Sequence, residues 1–475
     1  MKKFGLFLFV IFFFQKSFSQ NINDILRISS NTFGSSARSL SMGNAFTSIA
    51  DDYSAVNFNP AGLGIIENSE FSLSFSNIAF NSDVNYLNNI SSYKNRSTNF
   101  NQLGLVFPVS TVRGSFVVGI GYSSSQNFLS GSDFQKFNTQ SSIIQDWASN
   151  NSPFNSNNIA YNLFLANPNF DSTSFISPIK DSLFQQGNLS EDGKIDRYSL
   201  AFSIEAEKNL FFGVSMNLIR GNYNYSLEYI EEDIYDVYDT NTIDLEYLAF
   251  KDVIDEEIAG VDFSLGAFYM FDESGALGLN IRTPSYISIK DEWKILREVK
   301  FASATEERSD FVTYDDVGED DAPLITEYEV QTPFTFSFGA SYMIFDFLLL
   351  SASSDYTDYT EMKFTSSDFD NVNRDIKKNM REVFAKHYGG ELLFTDWSLK
   401  MGYMNLPSPY KNDPKSYDKI ITTYGANFTI QEKFLIDVCF AKTKYESKFN
   451  APDIGNIVKE KISLDNYVVT FTYRY

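Results

Sequence analysis

Of 475 residues only one is cysteine (Cys439) and only one is histidine (His387). A single thiol excludes a disulfide framework. One His and one Cys leave little axial-ligand capacity for haem, and no zinc spacing, phosphate loop or nucleophile elbow is present. Basic residues are also short, 38 against 61 acidic, for a net charge of -23. That balance argues against nucleic acid, which selects basic surfaces. No apolar run beyond the first residues is long enough to cross a membrane as a helix, which needs about 20.

What is present begins with Lys2-Lys3, an apolar run from Phe4 to Phe14 and Ser17-Phe18-Ser19. A basic start, a short apolar stretch and a small-x-small site predict a signal peptide over 1–19, cut near Ser19 or Gln20. No cysteine sits at the cut site, which argues against a lipoprotein. Aromatics are abundant, with 47 Phe and 28 Tyr, and they alternate with polar residues. Phe334, Phe336, Phe338, Ala340 and Tyr342 share one face, while Pro333, Thr335, Ser337, Gly339 and Ser341 share the other. Val261 to Phe271, Tyr424 to Ile430 and Phe434 to Phe440 alternate in the same way. Successive side chains of a strand point to opposite faces, so such runs fit strands between lipid and a wet lumen.

About 14 runs of this kind start near Phe71, Asn99, Gly114, Lys194, Leu210, Ile258, Ala276, Glu327, Phe347, Arg381, Trp397, Tyr417, Phe434 and Lys461. Their connections alternate between short turns and long loops, the longest at 123–193, 231–257 and 294–326. A sheet edge cannot face lipid, so the sheet must close. The expected fold is all-β: a transmembrane antiparallel up-and-down β-barrel over 70–475, in the outer membrane of a Gram-negative cell. The final stripe Tyr467, Val469, Phe471, Tyr473 and Tyr475 resembles the signal read by the barrel-assembly machinery, an expected partner during biogenesis alongside outer-membrane lipid.

Residues 20–69 do not alternate. They contain Ser36-Ala37-Arg38-Ser39-Leu40-Ser41-Met42-Gly43, Ala45-Phe46, Asp51-Asp52 and Asn59-Pro60-Ala61-Gly62. This pattern resembles the N-terminal plug, or hatch, of the FadL-type transporter family of long-chain fatty acid and aromatic hydrocarbon channels. Ile281-Arg282-Thr283-Pro284 and Gly402-Tyr403 resemble family strand ends more weakly. The resemblance implies a 14-stranded monomeric barrel with the plug in its lumen and Asn59, Pro60 and Ala61 as a plug motif. It also implies passive uptake of a hydrophobic small molecule, a fatty acid or hydrocarbon, without a cofactor. Phe33, Phe46, Ile49 and Phe58 are then the candidate ligand-binding residues, each equally readable as a plug anchor. The family's lateral exit beside a kinked third strand points to Gly119 and Gly121, which small residues packing the plug would explain as well. The aromatic loop 123–193 is expected to fold as a cap over the barrel mouth.

The acidic loops around Glu231 and Asp315 read as solvated surface, since no calcium-loop pattern is present and no metal site is expected. His387 shares a face with Glu391 and suggests a structural pair in the lumen rather than catalysis, so no enzyme is expected. A second class of function stays open: a protein-interaction barrel acting as a shuttle-type subunit of a secretion system. A third is a surface barrel without cargo.

Overall fold

A computed structural model describes residues 20–29, 35–149, 158–171, 173–239, 242–272, 274–316, 322–452 and 455–475. The expected signal peptide and Phe33 lie outside the described residues.

The wall has 14 antiparallel strands. They are β1 (Glu70–Tyr86), β2 (Asn89–Val109), β3 (Phe116–Asn127), β4 (Leu183–Glu207), β5 (Leu210–Glu232), β6 (Leu245–Met270), β7 (Gly275–Arg282), β8 (Thr335–Ile344), β9 (Leu348–Asp358), β10 (Glu382–Leu393), β11 (Trp397–Leu406), β12 (Lys419–Ile430), β13 (Phe434–Asn450) and β14 (Ile457–Arg474). Each pairs with its neighbours in sequence, and β1 closes on β14 from Glu70↔Arg474 to Asn85↔Lys459. Closure leaves no edge, so every backbone group of the belt can be satisfied inside the wall.

Alternation divides the wall into two chemistries. On β5, Phe212, Val214, Met216 and Leu218 are exposed, while Ser215 and Asn217 are buried inside. Rings gather at both rims of the apolar belt. Phe336, Tyr356 and Phe384 form a chain at one level, with centroids 6.3 and 4.9 Å apart. Near the chain terminus Phe434 and Tyr473 (4.6 Å) and Phe394 and Trp397 (4.0 Å) mark the other. Two aromatic girdles around an apolar band are the signature of a barrel seated in an outer membrane. Among the described residues no helix is long and apolar enough to cross a membrane.

Several expected boundaries shift. Strands β4, β5 and β6 run 25, 23 and 26 residues, far beyond the 9–11 a membrane needs. Much of the ranges 123–193, 231–257 and 294–326 is therefore ladder. Ser130–Asn138 pairs with β4, and Tyr286–Phe301 pairs with β6. Above the membrane neither face meets lipid, so the period-2 apolar signal fades while the strands continue. Over these extensions sits an apolar core that includes Tyr86, Phe134, Ile144, Leu163, Tyr229 and Phe301. Phe128 is buried elsewhere and Phe170 is exposed.

The run read as one strand from Glu327 is two pieces. Leu324–Gln331 pairs with Tyr286–Trp293, and β8 resumes at Thr335 after Thr332-Pro333-Phe334. Thr283-Pro284-Ser285 breaks the neighbouring strand at the same height. Proline lacks the ladder donor, which places the interruption.

Candidate functional site

Residues 35–66 lie inside the barrel and are almost wholly buried. The segment advances in short pieces because few of its residues favour a long helix. Ser36 caps helix α1 (Ala37–Ser41), its hydroxyl accepting from Ser39 N at 3.2 Å. A turn at Gly43 and Asn44, both with positive φ, reverses the chain. Helix α2 (Ala55–Phe58) ends at Asn59, whose side chain accepts from Ala61 N at 3.2 Å. Pro60 then opens a 3₁₀ turn, Pro60–Ile65, where its missing N–H costs nothing.

The plug motif is a docking element. Asn59 Nδ2 donates to Thr47 O at 2.9 Å and across to Ala267 O on β6 at 3.0 Å. Ser203 on β4 donates to Ala61 O at 2.8 Å. The wall yields to the plug by having no side chain where the two backbones meet. A Cβ on Gly278 would strike Thr47 O, one on Gly266 would strike Asn59, and one on Gly213 would strike Pro60 and Ala61. Gly402 meets Gly43, and Gly389 meets Met42, in the same manner.

Gly119 and Gly121 belong to this set. A Cβ on the first would press on Leu63 and Val56, and one on the second on Tyr53. Both stay in regular register with β2 and β4, so the kink expected at them is not where the ladder breaks. The irregularity falls at Ser124–Gln126. The absent side chains there leave room for Leu63, Val56 and Tyr53 of the plug.

A buried ionic network holds the other side of the plug. Arg38 grips Asp51 with two nitrogens, at 2.9 and 2.5 Å, and reaches Glu391 on β10 at 3.3 Å. Lys400 on β11 bridges Glu391 (3.4 Å) and Asp437 on β13 (2.7 Å). Ser398 donates to Glu391 at 2.6 Å, and Asn427 donates to Asp437 at 3.1 Å. Burial pushes Asp51 up, but the Arg38 guanidinium outweighs it and holds the carboxyl below its ordinary value. Asp52 has no such partner; burial, helped by the charge of Asp51, pushes it up to about 6. Sequence patterning pointed at Arg38 and the acidic pair, but not at their wall partners, whose pairing depends on three-dimensional register.

His387 is buried, as expected, but its carboxylate is Asp355 on β9 at 3.2 Å rather than Glu391, which the network above engages. Its other nitrogen lies 3.1 Å from Gly43 O. Neighbouring strands, not neighbours along one strand, supply the partner. The two contacts tie the plug turn at Gly43 to the wall.

Above the plug lies a chamber of 640 Å³. Leu40, Asn44, Asn57 and Phe58 form its floor, and the N-terminal helix Ile22–Ser29 roofs it with Asn23, Leu26 and Arg27. That helix is fixed by Ile25 and Ile28 in an apolar cluster with Ile219, Ile258 and Tyr328. Arg27 pairs with Glu256 and sits 3.6 Å over the Tyr223 ring. Of the four candidate ligand residues, Phe58 lines the chamber. Phe46 and Ile49 lie beneath it in a cluster with Met42, Phe46 touching Phe58 edge-on at 5.7 Å.

The wall beside the chamber has a seam. β8 and β9 pair up to Thr335↔Thr357, and pairing resumes at Gln331↔Lys363. Between these, Thr332–Phe334 faces Asp358–Met362 without ladder pairs. Thr335, Thr357 and Tyr359 line the chamber inside, and a 910 Å³ groove lies outside along Phe334, Thr360 and Met362.

No protein-family model matches the sequence, and no curated protein matches it. Solved structures do. The Pseudomonas putida toluene transporter TodX superposes with a TM-score of 0.56 at 13% identity, over 93% of this chain and 98% of that one. A Pseudomonas aeruginosa FadL homologue gives 0.54 at 13%, covering 94% and 98%. The Ralstonia pickettii toluene transporter TbuX gives 0.51 at 14%, covering 93% and 98%. The fold is that of the FadL-type channels. At such identity the likeness of a FadL-type barrel speaks to architecture; chemistry has to come from the chamber itself.

Proposed function

We propose that the protein is an outer-membrane channel for passive uptake of hydrophobic small molecules, long-chain fatty acids being the class that suits it best. The 640 Å³ chamber carries this reading, since its volume lies in the usual range for ligand sites of about 300–1,000 Å³. It is closed below by a plug that shares no ladder pair with the wall among the described residues, so the plug can shift without unfolding the wall. The relatives in fold, a toluene transporter and a FadL homologue among them, agree in kind. A ligand landing on the cap enters past the roof helix Ile22–Ser29, rests against Phe58 and leaves sideways. The seam between Thr332–Phe334 and Asp358–Met362 is the route we favour, because the ladder there is already open.

The competing reading is a protein-interaction barrel of a secretion system, and the exposed Phe164, Phe170 and Ile176 on the cap are the observation in its favour. Native mass spectrometry of the protein from its own membrane, in mild detergent, separates the two. A co-purified fatty acid or hydrocarbon-like lipid supports uptake. An empty barrel with a stoichiometric protein partner would replace it with the secretion reading.

A further inference from the structure

The roof helix Ile22–Ser29 meets the wall over an excess of buried acid. Asp291 and Glu256 are directly opposite partners on neighbouring strands, only 6% and 4% exposed. Like charges so placed repel each other. Arg27 answers Glu256 and also reaches Asp24 at 3.5 Å, which leaves three carboxyl groups around one cation. Among the described residues no basic side chain lies at ion-pair distance from Asp291. One oxygen of each wall acid, Asp291 Oδ1 and Glu256 Oε2, is buried without a hydrogen-bond partner. Tyr328 leans on Asp291, but its hydroxyl completes no bond there.

Such a site lacks an N–H donor, best a charged one. The residue that reaches it is Gln20. It is 8% exposed, and its side-chain amide donates to Asp291 Oδ2 at 3.1 Å. Gln20 is also the residue that follows Ser17-Phe18-Ser19, the pattern at which an export signal is cut. Packing and cut-site pattern are independent observations, and they meet at one residue.

We propose that the chain is cut between Ser19 and Gln20 and that the new terminal nitrogen is a structural donor, held by Asp291 and Glu256 to fasten the roof over the chamber. Hydrolysis of the Ser19–Gln20 bond leaves the carboxyl on Ser19 and the amine on Gln20, where a proton makes it an ammonium. Before the cut the same nitrogen is an uncharged amide. Where that nitrogen goes on to attack Cδ of its own side chain, the Cδ–Nε2 bond breaks, ammonia leaves and the lactam N–H keeps the same acceptors. Chain termini are ordinarily loose. This one is pinned, while Arg27 pins the other end of the helix. Removal of the signal thereby prepares the roof to close, whatever the chamber carries.

The protein taken from its own outer membrane should begin at Gln20 by intact mass and terminal-peptide mapping, as the free amine or as the lighter lactam. A start at any other residue overturns the proposal. Hydrogen exchange over Ile22–Ser29 in the full processed chain reads the role of the terminus. Gly-Ser inserted between Ser19 and Gln20 keeps the Gln20 side chain but moves the terminus away. Exchange in the roof should then speed about tenfold, the order expected for one buried hydrogen bond to a charged group. In an Asp291→Leu background the same insertion should change nothing further, since the acceptor is already gone. Heat-modifiable gel mobility verifies that each variant is a folded barrel. If the insertion leaves the roof's exchange unchanged, Gln20 acts through its side chain alone and the terminal anchor is wrong. An insertion effect of equal size with and without Asp291 overturns it as well.

Discussion

The plug is held differently on its two sides. Towards β5, β6, β7 and β8 it touches the wall backbone to backbone, through missing side chains at Gly213, Gly266 and Gly278 and the neutral bonds of Asn59. Towards β10, β11 and β13 the same backbone contacts, at Gly389 and Gly402, are joined by charge, through Arg38, Asp51, Glu391, Lys400 and Asp437. Close packing is short-ranged and loses about a quarter to a half of its attraction once a gap of about 0.5–1 Å opens. An ionic network in a low-dielectric lumen acts over a longer range and can re-form after a small displacement. The packed side is suited to serve as the hinge of the plug and the charged side as its latch.

Breaking the latch should have the largest effect. Arg38→Met leaves Asp51, 34% exposed, and the buried Glu391 without their shared guanidinium, a loss that solvent at Asp51 keeps below the about 3–5 kcal/mol of a fully buried pair. Hydrogen exchange over residues 35–66 should rise steeply in this variant; unchanged protection would mean that the network is decoration. Gly278→Val comes next, since its branched side chain must displace Thr47. Overpacking of this kind costs about 1–3 kcal/mol, to be measured as sensitivity of cells to large antibiotics that the intact outer membrane excludes. If the hinge and latch roles differ, Gly278→Val should loosen the Asn59 region before the Arg38 region.

Asn59→Ala removes two donated bonds and leaves Thr47 O and Ala267 O without that partner, for about 1–3 kcal/mol. Its signature is loss of exchange protection confined to the 3₁₀ turn. The smallest effect is a pH dependence. Asp52 is raised to about 6 from an ordinary value near 4, so its ionised form works against docking. The docked plug should therefore gain stability as pH falls through 6, by about 1 kcal/mol between pH 7 and pH 5. Asp51, held low by Arg38, contributes in the opposite sense only when pH falls below the ordinary carboxylate value. Asp52→Asn should abolish the first trend and leave the second, as read by plug exchange rates across that range.

How much of this was legible in the sequence follows from what each feature depends on. The lipid-facing alternation on β8 or β13 is a local, period-2 property, so it could be read directly. Cut-off points were misplaced where strands leave the membrane. The start of β2, Asn89 to Thr98, is polar on both faces and carries no alternating signal. One turn hid for a different reason: Leu87-Asn88 takes positive φ without the glycine that would announce it, whereas the turns at Phe345-Asp346 and Gln431–Lys433 fall where the alternation stops. Arg38 and Asn59-Pro60 stood out as a pattern, yet their partners on β6, β10 and β13 are set by the winding of the wall.

Single-channel conductance in planar bilayers tests the central claim, that a two-sided plug seals the lumen beneath a ligand chamber. The wild type should be almost silent, and Arg38→Met should show long-lived openings that Asp52→Asn lacks. A wild type that conducts steadily as an open pore, with Arg38→Met no different, would contradict the account.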